Sequence, residues 1–123
     1  RWNDASALGQ MGEPAKDAVP ALIEALRDKK VLVRQIVAYA LGNIGEPAVP
    51  ALIKALGDES ENVRWSAAGA LSLIGEPAKE AVSALIKALS DESEGVRAFA
   101  ALALKKIGTP EAIEAVKEYE KNR

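Results

Sequence analysis

The side chains that could do chemistry in this sequence are carboxylates, lysines, arginines and a handful of rings. The 123 residues contain neither His nor Cys. Ser-His-Asp triads, thiol nucleophiles, disulfides, Cys/His zinc sites and His-ligated haem are therefore excluded. Catalysis would have to rest on carboxylates, Lys or Tyr. No carboxylate pair stands out as a glycosidase-type acid and base. The runs Asp58-Glu59-Ser60-Glu61 and Asp91-Glu92-Ser93-Glu94 read as solvated turns, because the calcium loop with its central Gly is missing. No catalytic residue, metal site or cofactor is expected. What remains is recognition chemistry. Aromatics are only 4 % of the chain, namely Trp2, Tyr39, Trp65, Phe99 and Tyr119. Trp and Tyr are the residue types that anchor interfaces.

The elements that must position these rings come from an internal repeat. Gly12, Gly45, Gly75 and Gly108 close the same phrase, an apolar residue followed by Gly, and a Pro stands two residues beyond each. Ala-Leu-Ile recurs at Ala21, Ala51 and Ala84, and Val-Arg at Val33, Val63 and Val96. These markers step by 30 and then 33 residues. The difference lies between the Gly and the Ala-Leu-Ile, where copy two carries only Pro47-Ala48-Val49. An indel there marks a loop or a fraying helix start.

Each copy reads as two helices. In the first, Val19, Leu22, Ile23 and Leu26 form an amphipathic stripe. Pro20 and Pro50 suit a first turn; a helix reaching back to Pro14 would be kinked at Pro20. The turn follows at Asp28, Asp58 and Asp91, with Ser60 and Ser93 as N-cap candidates. In the second helix the core stripe is Val33, Val37, Ala40, Leu41 and Ile44, with matching residues in the other copies. Gly closes it, and Pro prevents continuation. The chain divides into a partial copy at 1–12, full copies at 13–45, 46–75 and 76–108, and a charged closing helix at 109–123. About eight helices are expected.

Composition agrees. Apolar residues make up 49 %, mostly Ala, Leu, Ile and Val, which favours close-packed helices. Sixteen basic against eighteen acidic residues leave a net charge of −2, which speaks against nucleic acid. Lys105 and Lys106 are too small a basic spot to change this. No apolar run approaches the length that spans a bilayer, so no membrane partner is expected, and a soluble, cytoplasmic protein is.

A two-helix unit of 30–33 residues whose second helix opens on Val-Arg resembles a HEAT-like repeat, in particular the phycobilisome-lyase type. The resemblance is carried by Val19-Pro20-Ala21-Leu22-Ile23-Glu24-Ala25-Leu26, Asp58-Glu59-Ser60-Glu61-Asn62-Val63-Arg64 and Ala40-Leu41-Gly42-Asn43-Ile44-Gly45. It covers the whole chain and is similar to artificial helical-repeat binders as well. It implies an all-α, right-handed α-solenoid whose second helices line a concave face, acting as a non-catalytic scaffold for a partner protein or peptide. It also implies an alternative, a bilin lyase or chaperone-type subunit acting on phycobiliproteins; a third reading is a structural segment of a larger protein. In similar repeats the Asp six residues before the Arg forms a ladder between copies, which here would join Asp28, Arg34, Asp58, Arg64, Asp91 and Arg97.

Comparison of the copies singles out four positions on the second helix that do not recur. They read Trp2, Asn3, Ser6, Gln10; then Gln35, Ile36, Tyr39, Asn43; then Trp65, Ser66, Gly69, Leu73; then Ala98, Phe99, Leu102, Lys106. Their spacing places them on one helical stripe beside the core stripe. Four of the five aromatics fall in this set. The expected partner-binding residues are Trp2, Gln35, Ile36, Tyr39, Asn43, Trp65, Leu73, Phe99 and Leu102, with Ile36 and Phe99 able to serve equally as core. An open N-terminal end also leaves room for self-association.

Overall fold

The computed structural model describes residues 17–122. Over this span it contains seven α-helices: α1 Val19–Ala25, α2 Val31–Ile44, α3 Val49–Ala55, α4 Glu61–Ile74, α5 Val82–Ala88, α6 Glu94–Ile107 and α7 Pro110–Lys121. No strand occurs among the described residues. The expected start fragment, with Trp2 and the open N-terminal end, lies outside the described residues.

The first helix of each copy is short, at seven residues, against fourteen for the second. It is preceded by a tighter 3-10 turn, Glu46–Ala48 before α3 and Glu76–Ala81 before α5. The three-residue difference between these copies is absorbed entirely in that turn. Helix α5 thus keeps both the length and the packing register of α3. Pro20 and Pro50 fall in the first turns of α1 and α3. The N–H that proline lacks has no helical partner there, and no kink results.

The turns between paired helices are built by one aspartate each. The carboxylates of Asp28, Asp58 and Asp91 accept the backbone N–H two residues on, from Lys30, Ser60 and Ser93, at 2.9, 2.8 and 2.9 Å. Ser93 also caps α6, accepting from the Val96 N–H, and Thr109 caps α7 by accepting from Ala112. Ser60 occupies the same place before α4 without a side-chain cap bond. Gly45, Gly75 and Gly108 end the second helices at φ values of 80, 71 and 73°. A side chain is strained at such angles, which is why glycine closes every copy.

Helices α2, α4 and α6 lie side by side in one layer, and this is the most extensive packing in the molecule. Helices α1, α3 and α5 form the second layer, and α7 closes the stack against α5 and α6. Leu26, Leu41, Leu52, Leu71, Leu85 and Leu104 are fully buried between the layers. Each contributes about 1.5–3 kcal/mol by burial. Alanines at 67, 68, 70, 100 and 103 have no exposure and let the second helices approach closely. Val63 and Val96 are core, but Val33, at the same place in copy one, is only half-buried. No copy could bury its apolar stripe alone, so order propagates between neighbours.

Candidate functional site

The non-recurring stripe divides into two rows once the helices are stacked. The residues one, five and nine places after the Arg point outward. Gln35, Tyr39 and Asn43 on α2 are exposed, with Tyr39 at 53 %. On α4, Trp65 is 37 % and Leu73 56 % exposed; on α6, Leu102 is 39 % exposed. Phe99, two places after its Arg, points sideways at Gly69 of α4. Ile36 and Phe99 are half-buried and pack on the core. Trp2 lies outside the described residues.

The two gaps between second helices are filled differently. In the α4–α6 gap, Phe99 lies within van der Waals reach of Gly69, and the Trp65 indole covers Gly95. The two rings meet at 5.9 Å between centroids, tilted by 50°, a favourable aromatic pairing. In the α2–α4 gap, the position of Phe99 is taken by Ser66. An apolar groove of about 120 Å³ remains there, lined by Val31, Arg34, Gln35 and Ala38 from α2, Ser66, Gly69 and Trp65 from α4, and Phe99 behind them. Towards its C-terminal end the gap closes, where Leu73 packs onto Gly42. Val31 and Leu32, which sequence reasoning did not select, are exposed at the other end of α2.

The arginines that open the second helices use their guanidinium groups in a fixed posture. Nη1 of Arg34 donates to the carbonyls of Asp28 and Lys29 at 2.7 and 3.1 Å. Nη1 of Arg64 donates to Asp58 and Glu59 at 3.0 and 3.1 Å, and Nη1 of Arg97 to Asp91 at 2.7 Å. The other edge of Arg64 reaches the next copy. Its Nε and Nη2 donate to the two oxygens of Asp91 at 2.8 and 3.2 Å. This pair is nearly buried, and the carboxylate raises the pKa of the Arg64 guanidinium further above its already high ordinary value.

The corresponding rung between Arg34 and Asp58 is not formed. Asp58 is taken by Arg27, whose Nη1 and Nη2 donate to both carboxylate oxygens at 3.1 and 2.8 Å. Those bonds, with the Ser60 N–H, hold the Asp58 carboxyl below the usual carboxylate range. The positions equivalent to Arg27 are Gly57 and Ser90, so no rival side chain competes for Asp91. Among the described residues, the expected ladder keeps the rung from Arg64 to Asp91 and is corrected at Asp58, where Arg27 takes the place of Arg34. Sequence reasoning did not select Arg27. The signal was present, since it is the only charged residue at that place in the three copies.

No group of three or more His, Cys, Asp or Glu among the described residues is placed to hold a metal. No single helix among them is long and apolar enough to cross a membrane.

The family model of HEAT repeats matches residues 1–49 and 49–122. No curated protein matches the chain. Among solved structures, the chain is similar to the complex of CpcE and CpcF of phycocyanin lyase from Nostoc sp. PCC7120. The TM-score is 0.69 at 24 % identity, over 96 % of this chain and 75 % of that one. It is also similar to a designed armadillo repeat protein in complex with the peptide (KR)4, with TM-score 0.58 and 25 % identity, over 96 % of this chain and 62 % of that one. An engineered protein matches with TM-score 0.55 and 26 % identity, over 97 % of this chain and 60 % of that one. With the repeat matched along both halves and the stacked helix pairs in place, the chain belongs to the HEAT repeat family.

Proposed function

We propose that this protein is a non-catalytic scaffold that binds a partner protein or peptide across the face formed by α2, α4 and α6. The observation that carries this reading is the cluster of Tyr39, Trp65, Leu73 and Leu102, all exposed on that face. Large apolar side chains gathered on one surface mark a site that a partner covers. Tyr and Trp contribute the most when such a surface is buried. Two of the similar structures support a polypeptide partner, one being a complex of two proteins and another a complex with a peptide. The net charge of −2 weighs against nucleic acid. A bilin-lyase role rests on likeness of fold alone, and fold does not carry function.

The test is selection of linear peptides from a displayed random library against the full chain, followed by affinity measurement on variants. Trp65→Ala and Tyr39→Ala are expected to weaken the selected peptides at least tenfold, with the far-ultraviolet circular dichroism unchanged. Lys54→Ala and Lys87→Ala, on the first helices, are expected to leave binding intact. Equal affinity of the parent and the two ring variants would overturn the proposal.

A further inference from the structure

The α2–α4 groove combines an apolar wall with an arginine that has donors to spare. Arg34 is only 7 % exposed. Its Nη1 is spent on the Asp28 and Lys29 carbonyls, while Nε and Nη2 have no acceptor among the described residues. Neither nitrogen is sealed away, since no buried side-chain nitrogen among the described residues lacks a partner. Both therefore keep some access to solvent, and Arg34 lines the opening. A nearly buried guanidinium with an unused edge strongly favours a carboxylate, which it grips with two parallel bonds. Copy two shows what that edge does when a carboxylate is supplied: Arg64, with Nη1 in the same posture, clamps Asp91. In copy one the carboxylate that would serve, Asp58, is already held by Arg27.

The apolar part of the groove is equally particular to this place. Ser66 and Gly69 stand where copy one has Ile36 and Tyr39 and copy three has Phe99 and Leu102. The missing side chains leave the space of about 120 Å³ between Val31, Ala38 and Trp65. A cavity of about 150 Å³ holds a benzene ring, so this groove takes one branched aliphatic side chain and little more. The Lys29-Lys30 turn leading into α2 is basic, whereas the matching turns carry Glu59 and Glu92. The α2 wall of the groove thus opens on a basic turn where the other second helices open on acidic ones.

We propose that the α2–α4 groove binds the C-terminus of a partner polypeptide, with the apolar last side chain between Trp65 and Val31 and the terminal carboxylate on Nε and Nη2 of Arg34. The terminal residue is the occupant that fits because the groove admits one residue, and only a chain end carries an apolar side chain and a carboxylate on the same residue. This rests on the second-helix face being the binding surface and narrows what binds there.

The probe is an acetylated hexapeptide of glycine and serine ending in leucine, titrated against the full chain by NMR on the Trp65 indole N–H. The free acid is expected to bind at least tenfold more tightly than the same peptide amidated at its end. An isomeric peptide with leucine beside an internal aspartate and an amidated end is expected to match the weak amide. Replacement of Arg34 also removes the support of its own turn, so the informative variant is Arg27→Ser, which copies Ser90. It frees Asp58 to occupy Arg34 and is expected to weaken the free acid about tenfold. Ser66→Ile, which copies Ile36, is expected to do the same by filling the groove. Equal binding of acid and amide, or indifference to both variants, would overturn the proposal. Should that happen while library-selected peptides still depend on Trp65 and Tyr39, only this inference falls; if those peptides ignore both rings, the surface reading falls with it.

Discussion

The two gaps between second helices are the same piece of architecture built twice with different outcomes. Between α4 and α6, Phe99 and Trp65 fill the space over two glycines, and Arg64 is locked to Asp91. Between α2 and α4, a serine and a glycine leave a groove, and Arg34 is left with a free edge because Arg27 has captured Asp58. One gap is packed and ion-paired, and the other is left open. The backbone frame is shared, so the difference lies in a few side chains. A repeat fold can vary its surface in this way because each copy needs only its neighbours for stability.

The largest expected effect comes from breaking the cohesive rung. Arg64→Ala removes a nearly buried ion pair and leaves the Asp91 carboxylate without its cation, at a cost of about 3 kcal/mol. Arg34→Ala removes only bonds to two carbonyls and should cost about 1.5 kcal/mol. Urea unfolding of both variants measures the difference; equal losses would mean that the rung contributes nothing to stability.

An intermediate effect of opposite sign separates the two glycines. A methyl group at Gly42 would meet the Leu73 Cβ at 2.9 Å, so α2 and α4 must move apart. Gly42→Ala is expected to destabilise by about 1–3 kcal/mol. At Gly69 the nearest atom is the Phe99 ring at 3.9 Å, ordinary contact. Gly69→Ala should therefore gain about 0.5–1 kcal/mol through helix propensity. Thermal midpoints that move the same way in both variants would erase this distinction.

The smallest effect concerns acid. The Arg27 hydrogen bonds depress the Asp58 pKa in the folded state. The sign follows from linkage: the contribution is complete above the unfolded carboxylate value of about 3.9 and is lost as pH falls through the depressed folded value. The parent's stability advantage over Asp58→Asn should hold at pH 5 and shrink below about pH 4. A constant difference across that range would show that Asp58 is not engaged by charge.

Much of the frame was legible because it is local. Apolar residues at helical spacing, an aspartate turn and a closing glycine act within a few residues of themselves, and three copies in register repeat the message. The outward row of Tyr39, Trp65, Leu73 and Leu102 was legible too, because helical periodicity assigns a face. Ile36 and Phe99 were ambiguous for the same reason. They lie at the edge of that face, and only the neighbouring helix decides whether an edge is covered. The groove was harder still. Ser66 and Gly69 were visibly small for their position, but a small residue makes a cavity only if nothing across the gap fills it. One rung of the ladder, Arg34 to Asp58, departs from expectation because pairing depends on which donors compete for one carboxylate, and Arg27 lies thirty-one residues from Asp58 in sequence.

The sequence by itself determined the repeat, the two-helix unit, the caps and turns, the exclusion of His and Cys chemistry, and the face on which the copies differ. These follow from backbone hydrogen bonding and periodic burial, which are encoded within one helix or one turn. Only the tertiary structure decided which gap is packed and which is open, and which arginine is paired and which has donors to spare. Those outcomes depend on side chains from adjacent copies competing for the same few ångströms.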